Sequence, residues 1–159
     1  MKVFIAEVMP VLGDGNCGYR SLAVLDGGDS DDYGAMRMEV VTEIITRPQL
    51  YEPLFHGTRL EDIIQQINYY QSPCPEHYYM EMPLAGLVYA TIKQVALVCL
   101  SWHNPHLCLP LYTAPGTQLT DLPLYGISNA GSANHFVPVS KIMFITFVSI
   151  LYHFSSSAY

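Results

Sequence analysis

Apolar residues recur at helical spacing in four stretches of the chain. The clearest covers residues 60–67, where leucine and isoleucine stand at i, i+3, i+4 and i+7 and predict an amphipathic helix. Thr58 and Glu61 give that helix a capping-box start. The same spacing predicts a short helix from Cys17 to Leu25, one that starts near the acidic residues 29–32 and stops at Pro48, and one that opens on Pro83.

Continuous apolar runs of strand length are more frequent in the second half of the chain. Residues 95–100 predict a central strand, and residues 107–112 and 124–127 predict two more. Residues 3–12 are also apolar, but Pro10 favours an irregular segment there. Since helices come mainly first and strands later, the pattern predicts one α+β domain with a small central β-sheet packed between helices.

The glycine-rich turn at residues 13–16, here called the cysteine loop, leads Cys17 into the first predicted helix. Its glycines permit a tight bend, and Asn16 is placed to cap the helix. A thiol at a helix N-terminus lies over free N–H groups, which lower its pKa from about 8.5 and favour the reactive thiolate. The position suits a nucleophile, although a small buried residue in a turn is the commoner role of cysteine.

The composition excludes some functional classes. A chain of 159 residues with 50% hydrophobic residues can bury a core as one domain. Charged residues make up only 13%, so the surface relies on uncharged polar side chains. The formal net charge of -7 and the scattered basic residues argue against nucleic acid as a partner, whereas a basic protein partner stays open.

The chain has four cysteines: Cys17, Cys74, Cys99 and Cys108. They form no C-x-x-C pair, and we expect them to be reduced. Glu7 interrupts the apolar N-terminal residues and no clean cleavage site follows, so we expect an intracellular protein of the cytoplasm or nucleus. Cys74 and His77 have the spacing of half a zinc site, but no second pair completes it, and we predict no metal and no other cofactor.

A cysteine nucleophile needs an imidazole within hydrogen-bond reach. His135 stands where the polar loop at residues 128–134 meets a β-like segment, so that a sheet edge would present its ring to a cleft. The other histidines considered for this role are expected to be surface or packing residues: His56, His103, His106 and His153.

The C-terminal residues 142–151 are apolar enough to raise the question of a membrane. The run is about half of the roughly 20 residues that a spanning helix needs. Lys141 precedes it, and Thr146 and Ser149 lie inside it. A buried terminal strand or helix is therefore favoured, and membrane association is the weaker alternative.

Two motifs resemble the ovarian-tumour (OTU) class of cysteine deubiquitinases: residues 14–20, which read Asp-Gly-Asn-Cys-Gly-Tyr-Arg, and the late pair His135 and Phe136. The resemblance is strongest to OTU-like domains associated with plant and fungal transposable elements. In these a Met-x-Met-Pro segment precedes a helix, as residues 80–83 do here, and an Asn-His-Phe-Val segment carries the histidine, as residues 134–137 do here. The resemblance covers residues 11–139 of a predicted domain at residues 1–141, and residues 142–159 form an apolar tail without a counterpart.

The resemblance implies a papain-like α+β fold that hydrolyses the isopeptide bond after the C-terminal glycine of ubiquitin or a related modifier. It makes Cys17 the nucleophile and His135 the general base that then protonates the leaving amine. The oxyanion hole would consist of the backbone N–H groups of Asp14, Gly15, Asn16 and Cys17.

The third catalytic residue stays open at this stage. Asp14 matches the aspartate that is commonly assigned to the catalytic set. Some members of the class instead orient the histidine with a polar residue two positions after it, and that position here is Val137. Asn134 is the alternative orienting residue.

Two functions follow from these observations. The first is an active cysteine deubiquitinase whose partners are ubiquitin or a ubiquitin-like protein and ubiquitinated proteins. The second is a catalytically inactive OTU-like domain that binds ubiquitin or another protein, an alternative motivated by the apolar Val137.

Overall fold

The computed structural model describes residues 3–54, 57–101, 104–129 and 135–144. Its centre is a five-stranded sheet in the order β1-β5-β4-β2-β3. β2 and β4 run parallel, and the other neighbouring strands run antiparallel. The strands are β1 (Val3–Val8), β2 (Ala96–Leu100), β3 (His106–Cys108), β4 (Leu124–Asn129) and β5 (Phe136–Phe144).

The helices are α1 (Cys17–Leu25), α2 (Tyr33–Thr46), α3 (Pro48–Tyr51), α4 (Leu60–Ile67) and α5 (Leu84–Lys93). α1 packs on β5 and β4, α5 packs on β2 and β3, and α2 packs against both helices. The core between these layers includes Leu22, Val40, Ile44, Val88 and Leu97, which are fully buried. The predicted α+β class is therefore confirmed. Within the described ranges, no helix has the length and apolarity that a membrane span requires.

The amphipathic helix predicted at residues 60–67 is present as α4, but its predicted cap is wrong. The N-cap residue is Arg59, and no side chain caps the helix. Arg59 instead pairs with Asp62 at 2.9 Å, because a guanidinium one turn before a carboxylate reaches it directly. The capping box of Thr58 and Glu61 therefore does not form.

The prediction for residues 3–12 is wrong, because Val3–Val8 is a regular strand. It pairs with β5 from Val3 opposite Phe144 to Val8 opposite Val139, and Pro10 lies beyond the paired residues. β1 therefore forms one edge of the sheet, and β5 lies between β1 and β4, with Phe136 paired to Asn129 of β4. β5 also crosses the predicted boundary at residue 141, and residues 145–159 of the predicted tail lie outside the described residues.

Candidate active site

Cys17 is the first residue of α1 and is 3% exposed. Its Sγ accepts a hydrogen bond from the backbone N–H of Phe136, over 3.4 Å. Phe136 is the first residue of β5, and His135 directly precedes it. The start of the histidine strand therefore lies against the start of the cysteine helix.

The His135 ring lies against the cysteine loop. A Cβ atom placed on Gly13 would lie 3.3 Å from Nδ1 and 3.4 Å from Cε1 of His135. Nδ1 is thus the ring nitrogen that faces the loop, and glycine at position 13 leaves space for the ring. The structure brings together the imidazole and the loop that leads into Cys17.

Burial raises the pKa of the Cys17 thiol above its usual value. Hydrogen bonds from the Phe136 and Gly18 N–H groups oppose this rise, and the Asp14 carboxylate adds to it. The prediction that the helix start lowers the pKa of Cys17 is therefore wrong, because the sulfur loses its water when the helix N-terminus is buried. A thiol of this kind needs a base to take its proton before it attacks a carbonyl.

The Asp14 carboxylate serves as a junction inside the cysteine loop. It lies 2.8 Å from the Arg20 guanidinium, accepts the Ser72 hydroxyl at 2.6 Å and accepts the Asn16 N–H at 3.0 Å. Burial raises the pKa of Asp14, but the hydrogen bonds from Arg20, Ser72 and Asn16 outweigh it and hold that pKa well below its usual range. These contacts favour a role in shaping the loop over a role in orienting His135.

Asn16 is fully buried. The prediction that it caps α1 is wrong, because its side chain makes no capping hydrogen bond to the helix. Its Oδ1 accepts two hydrogen bonds from the Arg37 guanidinium, at 2.8 and 3.2 Å, and its Nδ2 donates to the Gln71 carbonyl at 3.1 Å. The amide turns inward because a buried guanidinium is a stronger donor than a helix N–H group. Arg37, also fully buried, donates further to the carbonyls of Ile67 and Tyr78 at 3.0 Å each, and so fixes the loop from behind.

A backbone N–H group of the cysteine loop already donates a hydrogen bond within the loop. The Asn16 N–H is donated to Asp14, which withdraws it from the predicted oxyanion hole. Gly15 has a φ of 85°, and a Cβ there would lie 2.4 Å from the Cys74 carbonyl oxygen, so that only glycine fits. The N–H groups of Asp14, Gly15 and Cys17 stay the predicted donors of the oxyanion hole, and the Cys17 N–H also contacts its own sulfur.

A cavity of about 310 Å³ opens beside the cysteine loop. Gly15 and Phe136 form the part of its wall next to Cys17, and Glu81 is the carboxylate in its lining. The rest of the lining mixes apolar and polar side chains, among them Met80, Met82, Ser101, Asn104 and His106. A cavity of this size and polarity beside a thiol suits a short segment of a peptide substrate.

Two other predicted positions contribute less to the site. Asn134, the alternative orienting residue, lies outside the described residues. Val137 is 5% exposed and pairs with Ser128 in the sheet, so position 137 supplies no polar side chain beside His135.

The remaining histidines and the possible zinc pair have other surroundings. His56, His103 and His153 lie outside the described residues. His77 packs on the Tyr78 ring, with centroids 3.8 Å apart, and the Cys74 sulfur accepts a contact from Arg37 at 3.4 Å. Among the described residues, no three or more His, Cys, Asp and Glu side chains cluster as metal ligands.

Sequence reasoning missed three residues that support the site: Ser21, Arg37 and Ser72. Arg37 stands four residues before Val41 on the buried face of α2, and a cation at a core position of an amphipathic helix was a detectable signal. Ser21 stands one turn after Cys17, so both side chains share a face of α1. Ser72 carried no local signal, because its partner Asp14 is 58 positions away.

Comparison with known proteins identifies the fold. No protein-family model matches the chain, and no curated protein sequence matches it. The OTU domain of OTUD1 superposes with a TM-score of 0.61 at 18% identity, over 84% of this chain and 85% of that one. The OTU domain protease of Dera Ghazi Khan virus gives 0.59 at 10% identity, over 90% of this chain and 87% of that one.

An ovarian-tumour domain solved in complex with ubiquitin gives a TM-score of 0.62 at 14% identity. That match covers 86% of this chain and 73% of the solved one. The chain therefore has the papain-like α+β fold of OTU domains.

Proposed function

We propose that this chain is a thiol-dependent deubiquitinase, which hydrolyses the isopeptide bond after the C-terminal glycine of ubiquitin or a related modifier. The observation that carries the proposal is the meeting of Cys17 Sγ with the Phe136 N–H while the His135 ring packs on the cysteine loop. The likeness in fold to an OTU domain in complex with ubiquitin supports the choice of substrate.

In the proposed reaction His135 takes the proton of the Cys17 thiol, and the thiolate attacks the carbonyl carbon of the isopeptide bond. Loop N–H groups stabilise the oxyanion of the tetrahedral intermediate. The intermediate collapses as the C–N bond breaks, and His135 gives its proton to the leaving lysine amine. The acyl group is then bound to Cys17 as a thioester. Water gives a proton to His135 and attacks the thioester carbonyl carbon, the C–S bond breaks, and the proton on His135 returns to the sulfur and restores the thiol.

We place the chain among the OTU-like domains associated with transposable elements, on the residues at positions 80–83 and 134–137. Its partners are then ubiquitin or a ubiquitin-like protein and ubiquitinated proteins inside the cell, in the cytoplasm or nucleus. Asp14 acts in this proposal by holding the loop, since Arg20, Ser72 and Asn16 contact its carboxylate.

The test is to mix the protein with ubiquitin that carries a C-terminal electrophile. A covalent adduct at Cys17 is expected, absent in Cys17→Ser and slowed in His135→Ala. Cys108→Ser is the matched control, because Cys108 is as deeply buried but lies on β3 and does not line the cavity beside the cysteine loop, and its adduct should match that of the wild type. A folded wild-type protein that forms no adduct would sink the proposal.

A second candidate is an inactive OTU-like domain that binds ubiquitin or another protein. The buried Val137 favours it, because no polar side chain stands two positions after His135 to orient the ring. Binding of unmodified ubiquitin, measured by calorimetry, together with no cleavage of any ubiquitin linkage would support this candidate over the first.

A further inference from the structure

Ser21 is a fully buried hydroxyl in α1, one turn after Cys17. Its Oγ lies 2.7 Å from the carbonyl oxygen of Cys17 and 3.1 Å from that of Phe136. The first contact is internal to the helix, whereas the second joins the helix to the first residue of β5. The single hydroxyl proton is shared between the two carbonyls in a three-centre hydrogen bond.

Phe136 is therefore held by α1 at two points of its backbone. Its N–H donates to Cys17 Sγ at 3.4 Å, and its C=O accepts from Ser21 at 3.1 Å. Cys17 and Ser21 stand at i and i+4, so the two contacts come from one face of the helix. A strand held at both its N–H and its C=O cannot rotate about its own axis without breaking one of the contacts.

The orientation of Phe136 determines two features of the site. It aims an N–H donor at the sulfur, and a donor at this place favours the thiolate over the thiol. It also sets the direction in which the chain leaves toward His135, whose ring touches the cysteine loop at Gly13. Both features would change if the C=O contact were lost and the backbone turned.

We propose that Ser21 is a positioning residue for the cysteine and histidine pair: its hydroxyl holds the Phe136 backbone so that the N–H stays on Cys17 and His135 stays at the cysteine loop. The expected effect of Ser21 on catalysis rests on the proposed function, because it requires that the chain cleave a ubiquitin substrate. Its consequence for the reactivity of the Cys17 thiol does not depend on any substrate.

Thr91 offers a matched control elsewhere in the core. Its hydroxyl is also buried, donates to the Leu87 carbonyl at 2.7 Å within α5 and accepts the Leu111 N–H at 3.0 Å. It thus combines one contact inside a helix with one to a distant backbone, as Ser21 does, but away from Cys17. Thr91→Val removes a comparable structural contribution without touching the site.

The experiment measures alkylation of Cys17 by iodoacetamide against pH in Ser21→Ala, Ser21→Thr, Thr91→Val and wild type, with the modified residue identified by mass spectrometry. Ser21→Ala should react about fivefold more slowly at neutral pH, the factor that matches one hydrogen bond of about 1 kcal/mol, with its profile shifted to higher pH. Ser21→Thr keeps the hydroxyl and should stay near the wild type. Urea unfolding of each variant reports the loss of stability separately.

The same variants are then assayed for hydrolysis of ubiquitin bearing a C-terminal fluorogenic amide. Ser21→Ala should lower kcat about fivefold or more at unchanged KM, while Thr91→Val should leave both unchanged. If Ser21→Ala loses stability as Thr91→Val does but keeps the wild-type alkylation profile, the proposal is overturned. If the alkylation profile shifts but the wild type cleaves no ubiquitin substrate, the proposed function fails and the positioning role of Ser21 stands.

Discussion

The His135 ring lies so near Gly13 that a Cβ atom on Gly13 would come within 3.3 Å of Nδ1. Gly13→Ala should displace the ring by a few tenths of an ångström, and Gly13→Val should displace it further. We expect kcat to fall about tenfold and about 100-fold respectively, because catalytic groups lose rate steeply when they are misplaced. Since Gly13 is exposed, the urea midpoint of both variants should stay near that of the wild type. Unchanged kcat in Gly13→Val would show that the ring does not act from this place.

His135→Ala should change how Cys17 responds to pH. Burial raises the pKa of the Cys17 thiol, so without a base the thiolate forms only at alkaline pH. Alkylation of Cys17 in His135→Ala should therefore be slower at neutral pH than in the wild type, and it should need a more alkaline pH to reach the same rate. Identical profiles for the two proteins would mean that His135 does not take the proton.

Asp14→Asn should destabilise the fold, because it removes the buried one of the two carboxylates that pair with the Arg20 guanidinium. We expect a loss of about 3 kcal/mol in the free energy of unfolding at pH 7, near the lower end of the range for a broken buried ion pair, since Asp31 still contacts Arg20. Asp62→Asn is the control, since its pair with Arg59 is solvent-exposed, and its urea midpoint should stay near that of the wild type.

The Asp14 contribution should also depend on pH in a defined direction. The folded state holds the pKa of Asp14 below its unfolded value of about 3.9, so the stabilisation is complete above that pH and is lost as the pH falls toward the folded value. Urea unfolding at several pH values should show the wild type and Asp14→Asn converging below about pH 4. A constant difference across this range would show that the Asp14 charge is not what stabilises the loop.

Gly15→Ala should be more damaging than Gly27→Ala, although both glycines have a φ of 85°. A Cβ on Gly15 would lie 2.4 Å from the Cys74 carbonyl oxygen, whereas nothing lies within 4 Å of one on Gly27. Gly27→Ala should cost about 1–2 kcal/mol for the left-handed backbone alone. Gly15→Ala should exceed that cost and reduce adduct formation at Cys17, and equal losses in thermal unfolding would show that the loop can move away from Cys74.

Sequence patterns correctly predicted the elements near the site that are determined by residues adjacent in the chain. α1 begins at Cys17 and ends at Leu25 as predicted, because a glycine-rich turn and an apolar helical pattern lie next to each other in the chain. The prolines predicted the stop before Pro48 and the start of α5 after Pro83 for the same reason.

The predictions that were wrong concern features that depend on residues far away in the chain. β1 looked irregular because its partner β5 lies near the other end of the described chain, and pairing outweighed the nearby Pro10. Asn16 looked like a helix cap because the guanidinium of Arg37, 21 positions away, was not visible as its partner. The direction of the Cys17 pKa also depended on burial, which the neighbouring residues do not encode.

The buried Arg37 makes the cysteine loop dependent on three separate parts of the chain. Its guanidinium joins Asn16 to the carbonyls of Ile67 and Tyr78, and none of these contacts forms until α2, α4 and the segment after it have docked. A nascent or partly unfolded chain therefore carries Cys17 as an ordinary thiol rather than a positioned nucleophile. Under the proposed function, Cys17 therefore becomes able to attack a carbonyl only after α2, α4 and the segment after it have docked.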